Sequence, residues 1–189
     1  GNCRSLLTWN NAVEKYKLSE IRKKMEDYNK THFETKKGMA VMPICFGISF
    51  TTTYMNQASA LVHVYIDGSI SVSTGGVEMG QGLKSNIAGI VAKGFGIREH
   101  RIKIESTNTT RVANMSPSAA SATTALNGNA TLIAIEQVLD RLKSMVAKEL
   151  GVQDTGRITI VDEKVFCDGR ETDWTWDRLV QTAHLNRID

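Results

Sequence analysis

The segment from Ala58 to Thr74 reads ASALVHVYIDGSISVST and consists of two alternating stretches on either side of Asp67-Gly68. Before the turn, apolar residues occupy every second position and share one face of a strand: Ala60, Val62, Val64 and Ile66. After the turn, Ile70 and Val72 lie on one side and a row of serines lies on the other. Since Asp-Gly favours a two-residue turn between strands, the segment predicts an antiparallel hairpin.

Upstream of the hairpin, the sequence predicts one helix and one strand. The helix covers Asn10–His32, and its apolar residues are spaced by three and four: Leu18, Ile21, Met25 and Tyr28. The range Gly38–Phe50 is apolar and partly β-branched, which is typical of a strand. Pro43 within it indicates an edge position or a bulge, because proline cannot donate a ladder hydrogen bond.

Downstream, helices and strands alternate. We expect a helix from Leu83 that ends at Gly94 or Gly96, followed by a strand at Arg101–Glu105. A polar loop at Thr107–Pro117 then leads to a long helix that Gly151 ends. The chain closes with a strand or hairpin at Ile158–Cys167 and a short helix that Thr172 caps. The stripe of the long helix is Leu132, Ile135, Leu139, Leu142, Val146 and Leu150. The mixture predicts an α+β fold, with a mixed sheet that includes an antiparallel hairpin and packed helices, in a single domain over residues 1–189.

Composition narrows the class of protein. The chain has 189 residues, 41% of them hydrophobic, and 23 Lys+Arg against 20 Asp+Glu, a formal charge of +3. That charge is too small to indicate nucleic acid binding, and no apolar run reaches the roughly 18 residues of a membrane span. The cysteines Cys3, Cys45 and Cys167 form no C-x-x-C, so we expect a reduced, cytoplasmic setting. The chain opens at Gly1 without methionine, so we expect a cut or processed piece.

The first candidate loop is Gly75–Gly82, GGVEMGQG, between a strand and a helix. Glycines let a ligand approach the backbone, and the helix start suits phosphate or another anion. Gly75 and Gly80 have the spacing of a nucleotide-binding P-loop, but Gln81 stands where that motif needs lysine, which excludes a nucleotide triphosphatase. Gln81 can instead bond a polar, weakly charged group. A tight turn without a ligand fits the spacing equally well.

The second candidate loop is Ser116–Thr123, SPSAASAT. Pro117 precedes a helix start that Ser116 or Ser118 can cap. The side chains are small, so a bulky group can lie against the backbone while hydroxyls bind it. On pattern alone, a capped helix start packed against a neighbour is the better interpretation.

Other residues carry weaker signals. His63 has no partner at metal-ligand spacing, which favours a structural role. Glu78 is a conceivable base, but a carboxylate beside a helix N-terminus is stabilised there in any case. Trp174 and Trp176 are interpreted as packing or surface aromatics. We find no Ser/His/Asp arrangement and assign no catalytic or metal-ligating residue.

Two blocks of the chain resemble, in the same order, the xanthine dehydrogenase/aldehyde oxidase family, and the xanthine dehydrogenase branch is the more similar. The motifs of the first block, residues 38–82, are FGISF at 46–50, NQA at 56–58, LVHVY at 61–65 and GGVEMGQG at 75–82. Those of the second block, residues 107–128, are TNT at 107–109, NMSPSAAS at 114–121 and LNG at 126–128. Residues 173–183 are similar more loosely.

The resemblance implies a molybdenum–pyranopterin cofactor (molybdopterin) between the two loops. The positions that would contact it are Met79, Gly80, Gln81, Ala120, Ser121 and Thr123, the last a serine in most of the family. The parent enzyme would oxidise purine-type heterocycles or aldehydes with oxygen from water, as in purine metabolism. FAD and 2Fe-2S centres are expected in its other domains or subunits, outside this chain.

The resemblance also implies that the chain is a partial domain. The family's Gly-x-Gly-Glu-Pro motif, which carries the base, and its Gly-Gly-Gln-Glu-His loop are missing. We therefore expect a piece that is inactive alone, packs on the remainder of the molybdenum-binding subunit, and self-associates through surfaces left bare. Two alternatives stay open: a non-catalytic binding or interaction domain that retains the fold, and another phosphate-bearing cofactor at the first loop.

Overall fold

The computed structural model describes residues 4–42, 44, 47–119 and 121–188. Contacts between residues divide the chain into two compact units, Gly1–Gly47 and Ile48–Asp189. The prediction of one partial domain over residues 1–189 stays a prediction.

The first unit contains two helices, α1 (Ser5–Lys15) and α2 (Leu18–Thr31). The prediction of one helix over Asn10–His32 is therefore wrong. Lys17 adopts a left-handed conformation with φ of 51°, which interrupts the chain of helical hydrogen bonds between α1 and α2. The spacing signal was insensitive to this break, because the apolar stripe it detected lies in α2.

The predicted strand over Gly38–Phe50 is also wrong: no strand occurs in the described residues of this range. A strand needs a neighbour to satisfy its backbone groups, and both sheets of the described chain are built from residues that follow position 59. Met42 and Ile44 are instead 86% and 89% exposed. Pro43, the expected edge or bulge, lies outside the described residues.

The second unit begins with a 3₁₀ turn at Thr53–Met55 and contains a first three-stranded sheet. Its strands are, in spatial order, β1 (Ala60–Val64), β2 (Ile70–Thr74) and β3 (Ile102–Ile104). β1 and β2 pair antiparallel and β2 and β3 pair parallel, with Val72 opposite Val62 on one side and Ile104 on the other. The hairpin prediction is thus confirmed, and Gly68 supplies the positive φ, 78°, that its turn requires.

Two long helices cover the sheet. α3 (Leu83–Phe95) makes the crossover between the parallel strands, and α4 (Ala122–Glu149) packs on both α3 and the sheet. α3 ends at Gly96, one of the two predicted stops. α4 starts later than expected, at Ala122, so neither predicted cap, Ser116 or Ser118, serves it. The shared core is almost free of solvent: Ile70, Val72, Ile87, Val91, Ile135 and Val146.

A 3₁₀ turn at Glu99–Arg101 leads into β3 of the first sheet, and another at Thr155–Arg157 leads into a second sheet, which is antiparallel throughout and completes the unit. Its strands are β4 (Ile158–Val161), β5 (Lys164–Cys167) and β6 (Arg170–Thr175), followed by α5 (Trp176–Leu185). The expected cap at Thr172 is wrong, because Thr172 lies on β6 and bonds the Val165 carbonyl. Thr175 caps α5, its hydroxyl accepting from the Arg178 N–H at 3.3 Å.

Buried aromatic and charged contacts join this sheet to the first. Trp176 is fully buried and its Nε1–H donates to the Gly68 carbonyl at 2.8 Å, which confirms a packing role. Arg101, just before β3, pairs with Glu163 at 2.8 Å and with Asp177 at 2.8 Å. The α+β fold with a mixed sheet, an antiparallel hairpin and packed helices is confirmed. Among the described residues, no helix is long and apolar enough to span a membrane.

Candidate functional site

The two candidate loops touch each other in the second unit. The Val77 N–H donates to the Ser118 hydroxyl oxygen at 2.8 Å, across 41 residues of sequence. Beside this bond, Gly76 faces the start of α4: a Cβ built on it would lie 3.1 Å from Thr123 Cγ2 and 3.2 Å from Asn127 Nδ2. The close packing needs glycine at this position, and it brings the two loops into one surface.

Further segments brace the pair from the side. The Gln57 N–H donates to the Ser116 hydroxyl oxygen at 3.0 Å, which ties the second loop to the residues that lead into β1. The Thr107 hydroxyl lies 2.7 Å from the Gly76 carbonyl and 3.0 Å from the Thr74 carbonyl. The polar loop after β3 therefore holds the first loop at the point where it leaves the sheet.

Within the first loop, Glu78 binds backbone amides. Its Oε1 accepts from the N–H groups of Gly80 at 2.9 Å and Gly82 at 3.1 Å, and its Oε2 accepts from Lys84 at 2.9 Å. These bonds, first that from Lys84, hold the pKa of the Glu78 carboxyl below its usual value. A carboxylate stabilised in its charged form is a weak proton acceptor, so the geometry supports the interpretation of Glu78 as a helix-start anion rather than a base.

Gln81 also bonds its own loop. Its Oε1 accepts from the Met79 N–H at 2.5 Å, and its Nε2 donates to the Val77 carbonyl at 2.7 Å. Around it, Gly80 and Gly82 have φ values of 94° and 79°, and a Cβ on either would meet nothing within 4 Å. The predicted contact positions of this loop thus lie at an open surface with room for a ligand.

The second loop leads into α4 with an uncapped start. Ser121 occupies the N-cap position, but its hydroxyl makes no capping bond, and the side chain is exposed. Thr123, two residues further, is 8% exposed, and Asn127, one turn beyond Thr123, is 3% exposed. Asn127 Nδ2 donates to the Thr123 carbonyl at 2.9 Å, while its Oδ1 is buried without a hydrogen-bond partner. Ala120 lies outside the described residues.

These features fit a bulky, polar, largely uncharged ligand. Open space lies beside two glycines of the first loop, and an uncommitted hydroxyl stands at the start of α4. An added anion at the start of α3 does not fit, because the Glu78 carboxylate already takes the N–H groups there. Within the described residues, no group of three or more His, Cys, Asp or Glu could hold a metal ion.

Comparison with known proteins identifies the family. Residues 11–189 match the family model described as the molybdopterin cofactor-binding domain. The chain belongs to this family. The resemblance to the xanthine dehydrogenase family, inferred from the two loop motifs, is confirmed by relatives of that name.

The relatives are much longer than this molybdopterin cofactor-binding domain. Xanthine dehydrogenase of Emericella nidulans is 47% identical over 137 residues, which cover 72% of this chain and 10% of the relative. Xanthine dehydrogenase of Oryza sativa subsp. japonica is 42% identical over 147 residues, which cover 78% and 11%. The chain therefore spans about a tenth of the length of these curated relatives.

Solved structures share the fold. CO dehydrogenase from Oligotropha carboxidovorans aligns with a TM-score of 0.59 at 24% identity, over 67% of this chain and 16% of that one. Quinoline 2-oxidoreductase from Pseudomonas putida 86 aligns with a TM-score of 0.58 at 23% identity, over 69% and 16%. At these identities the likeness shows the fold alone.

Three residues of the site were not singled out by sequence reasoning in the roles they take. Ser118 was expected to cap a helix and instead links the loops. Thr107 and Asn127 were not considered as site residues, although one holds the first loop and the other lies under the second. The one signal that could have indicated them is that all three lie in the block of residues 107–128 that resembles the family.

Proposed function

We propose that this molybdopterin cofactor-binding domain holds the pyranopterin of a molybdenum cofactor between its two loops. The proposed contacts are Met79, Gly80, Gln81, Ala120, Ser121 and Thr123. The observation that carries the proposal is the direct bond between the loops, Val77 N–H to Ser118 Oγ, in a chain of this family. It makes one continuous surface of two segments that both match cofactor-contacting motifs.

The chain's own groups suit a flat, hydrogen-bonding heterocycle. Gly80 and Gly82 let such a ring approach the backbone, since no side chain stands in the way. The Gln81 amide has a second N–H besides the one that bonds Val77, and the Ser121 hydroxyl is uncommitted. When bound, the molybdenum centre supplies Lewis-acid and redox chemistry, while the protein supplies binding and orientation.

The activity of the parent protein is part of the proposal. By analogy with its xanthine dehydrogenase relatives, we propose a cytoplasmic molybdenum hydroxylase that oxidises purine-type heterocycles or aldehydes with oxygen from water. Its partners would be the remainder of the molybdenum-binding subunit and FAD and 2Fe-2S domains or subunits. Apolar side chains that this chain leaves exposed, among them Phe33 at 84% and Ile44 at 89%, support such packing and self-association of the isolated piece.

The proposal predicts the effect of Gln81→Ala in the full-length protein that contains this chain. Loss of the amide removes a hydrogen bond to the cofactor worth about 0.5–1.5 kcal/mol, so molybdenum per polypeptide should fall roughly two- to tenfold. The substitution also removes the bonds to Met79 and Val77, so the cofactor-free protein should lose a little stability. Metal analysis and thermal unfolding of the cofactor-free forms measure the two effects separately.

The matched control is Gln137→Ala, an exposed glutamine on α4 away from both loops. Its molybdenum content should equal that of the wild type. If Gln81→Ala binds as much molybdenum as the control, Gln81 is only a turn residue. If Ser121→Ala also changes nothing, the site is not a cofactor site, and the non-catalytic binding domain becomes the better interpretation.

A further inference from the structure

We propose that Glu78 is a positioning residue, which fixes the first loop in the shape that binds the cofactor; this inference rests on the proposed function. The geometry is that of one carboxylate shared by three backbone amides. Oε1 spans Gly80 and Gly82, on either side of Gln81, and Oε2 reaches Lys84 in the first turn of α3. The bonds therefore enclose the proposed contact residues and anchor them to the helix.

Packing alone does not hold this loop. Gly80 and Gly82 have no atom within 4 Å of a built Cβ, and the side chain of Met79 lies in solvent at 66% exposure. Each residue that becomes ordered loses backbone conformational entropy, and glycine loses more than other residues do. Hydrogen bonds must offset this cost, and the loop has three to the Glu78 carboxylate and two to the Gln81 amide.

The charge of Glu78 matters as well as its shape. The first N–H groups of α3 have no partner within the helix, and they give its start a partial positive charge. A carboxylate stabilises that charge better than a neutral amide does. The bonds that lower the pKa of Glu78 keep it charged at neutral pH. Because this internal anion takes the N–H groups of Gly82 and Lys84, the loop offers a ligand polar, uncharged groups. A phosphate group placed directly at this helix start would meet a like charge, so we expect the uncharged ring of the cofactor, and not its phosphate, to lie there.

The test is Glu78→Gln in the full-length protein, with Glu20→Gln as control. Glu20 also lies in a first helical turn, that of α2, but pairs there with the exposed Lys17 at 3.9 Å. We expect Glu78→Gln to raise deuterium uptake of the peptide covering residues 78–84 in the cofactor-free protein. Molybdenum per polypeptide should fall at least about threefold, in line with one lost charged hydrogen bond. The control should match the wild type in both measurements.

A second variant separates charge from reach. Glu78→Asp keeps the charge on a side chain one methylene shorter, so it should recover part of the molybdenum content that Glu78→Gln loses. If Glu78→Gln does not fold without cofactor, Glu78→Asp carries the test alone, and an unchanged molybdenum content in it overturns the inference.

The outcomes also separate this inference from the proposed function. Freed amides in residues 78–84 with unchanged molybdenum would show that Glu78 does not position the site. If Gln81→Ala lowers the molybdenum content and Glu78→Gln does not, the function stands and the positioning role is overturned. If neither variant lowers it, both fall, and exchange still reports whether Glu78 holds the loop.

Discussion

The two loops of the site are held in opposite ways. The first loop is braced by its own side chains, because Glu78 and Gln81 bond backbone groups within it and at the start of the next helix. The side chains of the second loop bond other segments. The hydroxyl oxygens of Ser116 and Ser118 accept hydrogen bonds from backbone N–H groups elsewhere in the unit. The side chains of the first loop thus bond mainly the loop itself and the next helix, whereas those of the second loop bond distant segments.

The helix starts behind the loops differ in the same way. α3 has Glu78 on its first N–H groups, whereas α4 has no acidic residue in its first turn and no capping bond from Ser121. Unsatisfied N–H groups at a helix start are completed by water or by a ligand. The first loop is therefore preorganised before any ligand arrives, whereas the second loop leaves hydrogen-bonding groups at the start of α4 for a ligand to use.

The largest expected effect comes from the point where both loops meet. In Gly76→Ala the new Cβ would lie 2.5 Å from Leu83 Cδ2, and Leu83 is buried at 2% exposure, so its side chain cannot swing into solvent. Overpacking of this kind costs about 1–3 kcal/mol. Urea denaturation of the wild type and variant should show that loss in the free energy of unfolding.

Gly38→Ala is the control for Gly76→Ala. A Cβ at Gly38 meets nothing within 4 Å, so the change should stay within about 0.5 kcal/mol. Equal stabilities of the two variants would show that the two loops are not packed against each other at Gly76.

A smaller effect is expected from Ser118→Ala, which removes the bond to the Val77 N–H. Val77 is 46% exposed, so water replaces the lost acceptor, and the cost should be at most about 1 kcal/mol. Deuterium uptake should rise at the Val77 amide, which loses its acceptor, while the amides of Gly80, Gly82 and Lys84 keep their bonds to Glu78 and stay protected. Ser144→Ala, whose hydroxyl bonds the Asp140 carbonyl within α4, serves as control and should change neither loop. Increased uptake at Gly80, Gly82 and Lys84 as well would show that the first loop is not held by its own side chains.

Local signals were sufficient for much of the fold. Alternation around Asp67-Gly68 predicted the hairpin, although its turn has three residues rather than two: Val64 pairs with Ile70, and the Tyr65 N–H donates to the Ser69 carbonyl. Gly96 and Gly151 marked the ends of α3 and α4, since each adopts the positive φ that ends a helix at low cost. These features depend on neighbours within a few residues, which a single sequence displays.

Features set by distant residues were predicted poorly. The described residues of Gly38–Phe50, where a strand was expected, pair with neither sheet, and the apolar, β-branched composition of a segment does not reveal whether it has a pairing partner. β6 shifted the cap of α5 from Thr172 to Thr175, because pairing with β5 extends the chain beyond the first candidate. In the site, the helix-start position of Glu78 was predicted, but its reach to three amides and the bond between the loops depend on the folded backbone.

The smallest effect is expected from acidification, which should lower the amide protection of the first loop and leave that of the second loop unchanged. The pKa of Glu78 lies below its ordinary value of 4.5, so the carboxylate's contribution is complete above that value and is lost as pH falls through the lowered pKa. The second loop has no acidic residue in the first turn of α4 to lose. In the cofactor-free protein, acidification from about pH 6 through this lowered pKa should therefore reduce amide protection in residues 78–84 and not in residues 116–124. Exchange rates are corrected for their intrinsic pH dependence, and the core peptide around Ile135 and Val146 reports global unfolding.

Glu78→Gln should abolish the difference, because its loop has no charge to remove. If acid lowers amide protection equally in both loops while the core stays protected, the Glu78 carboxylate is not what keeps the first loop ordered.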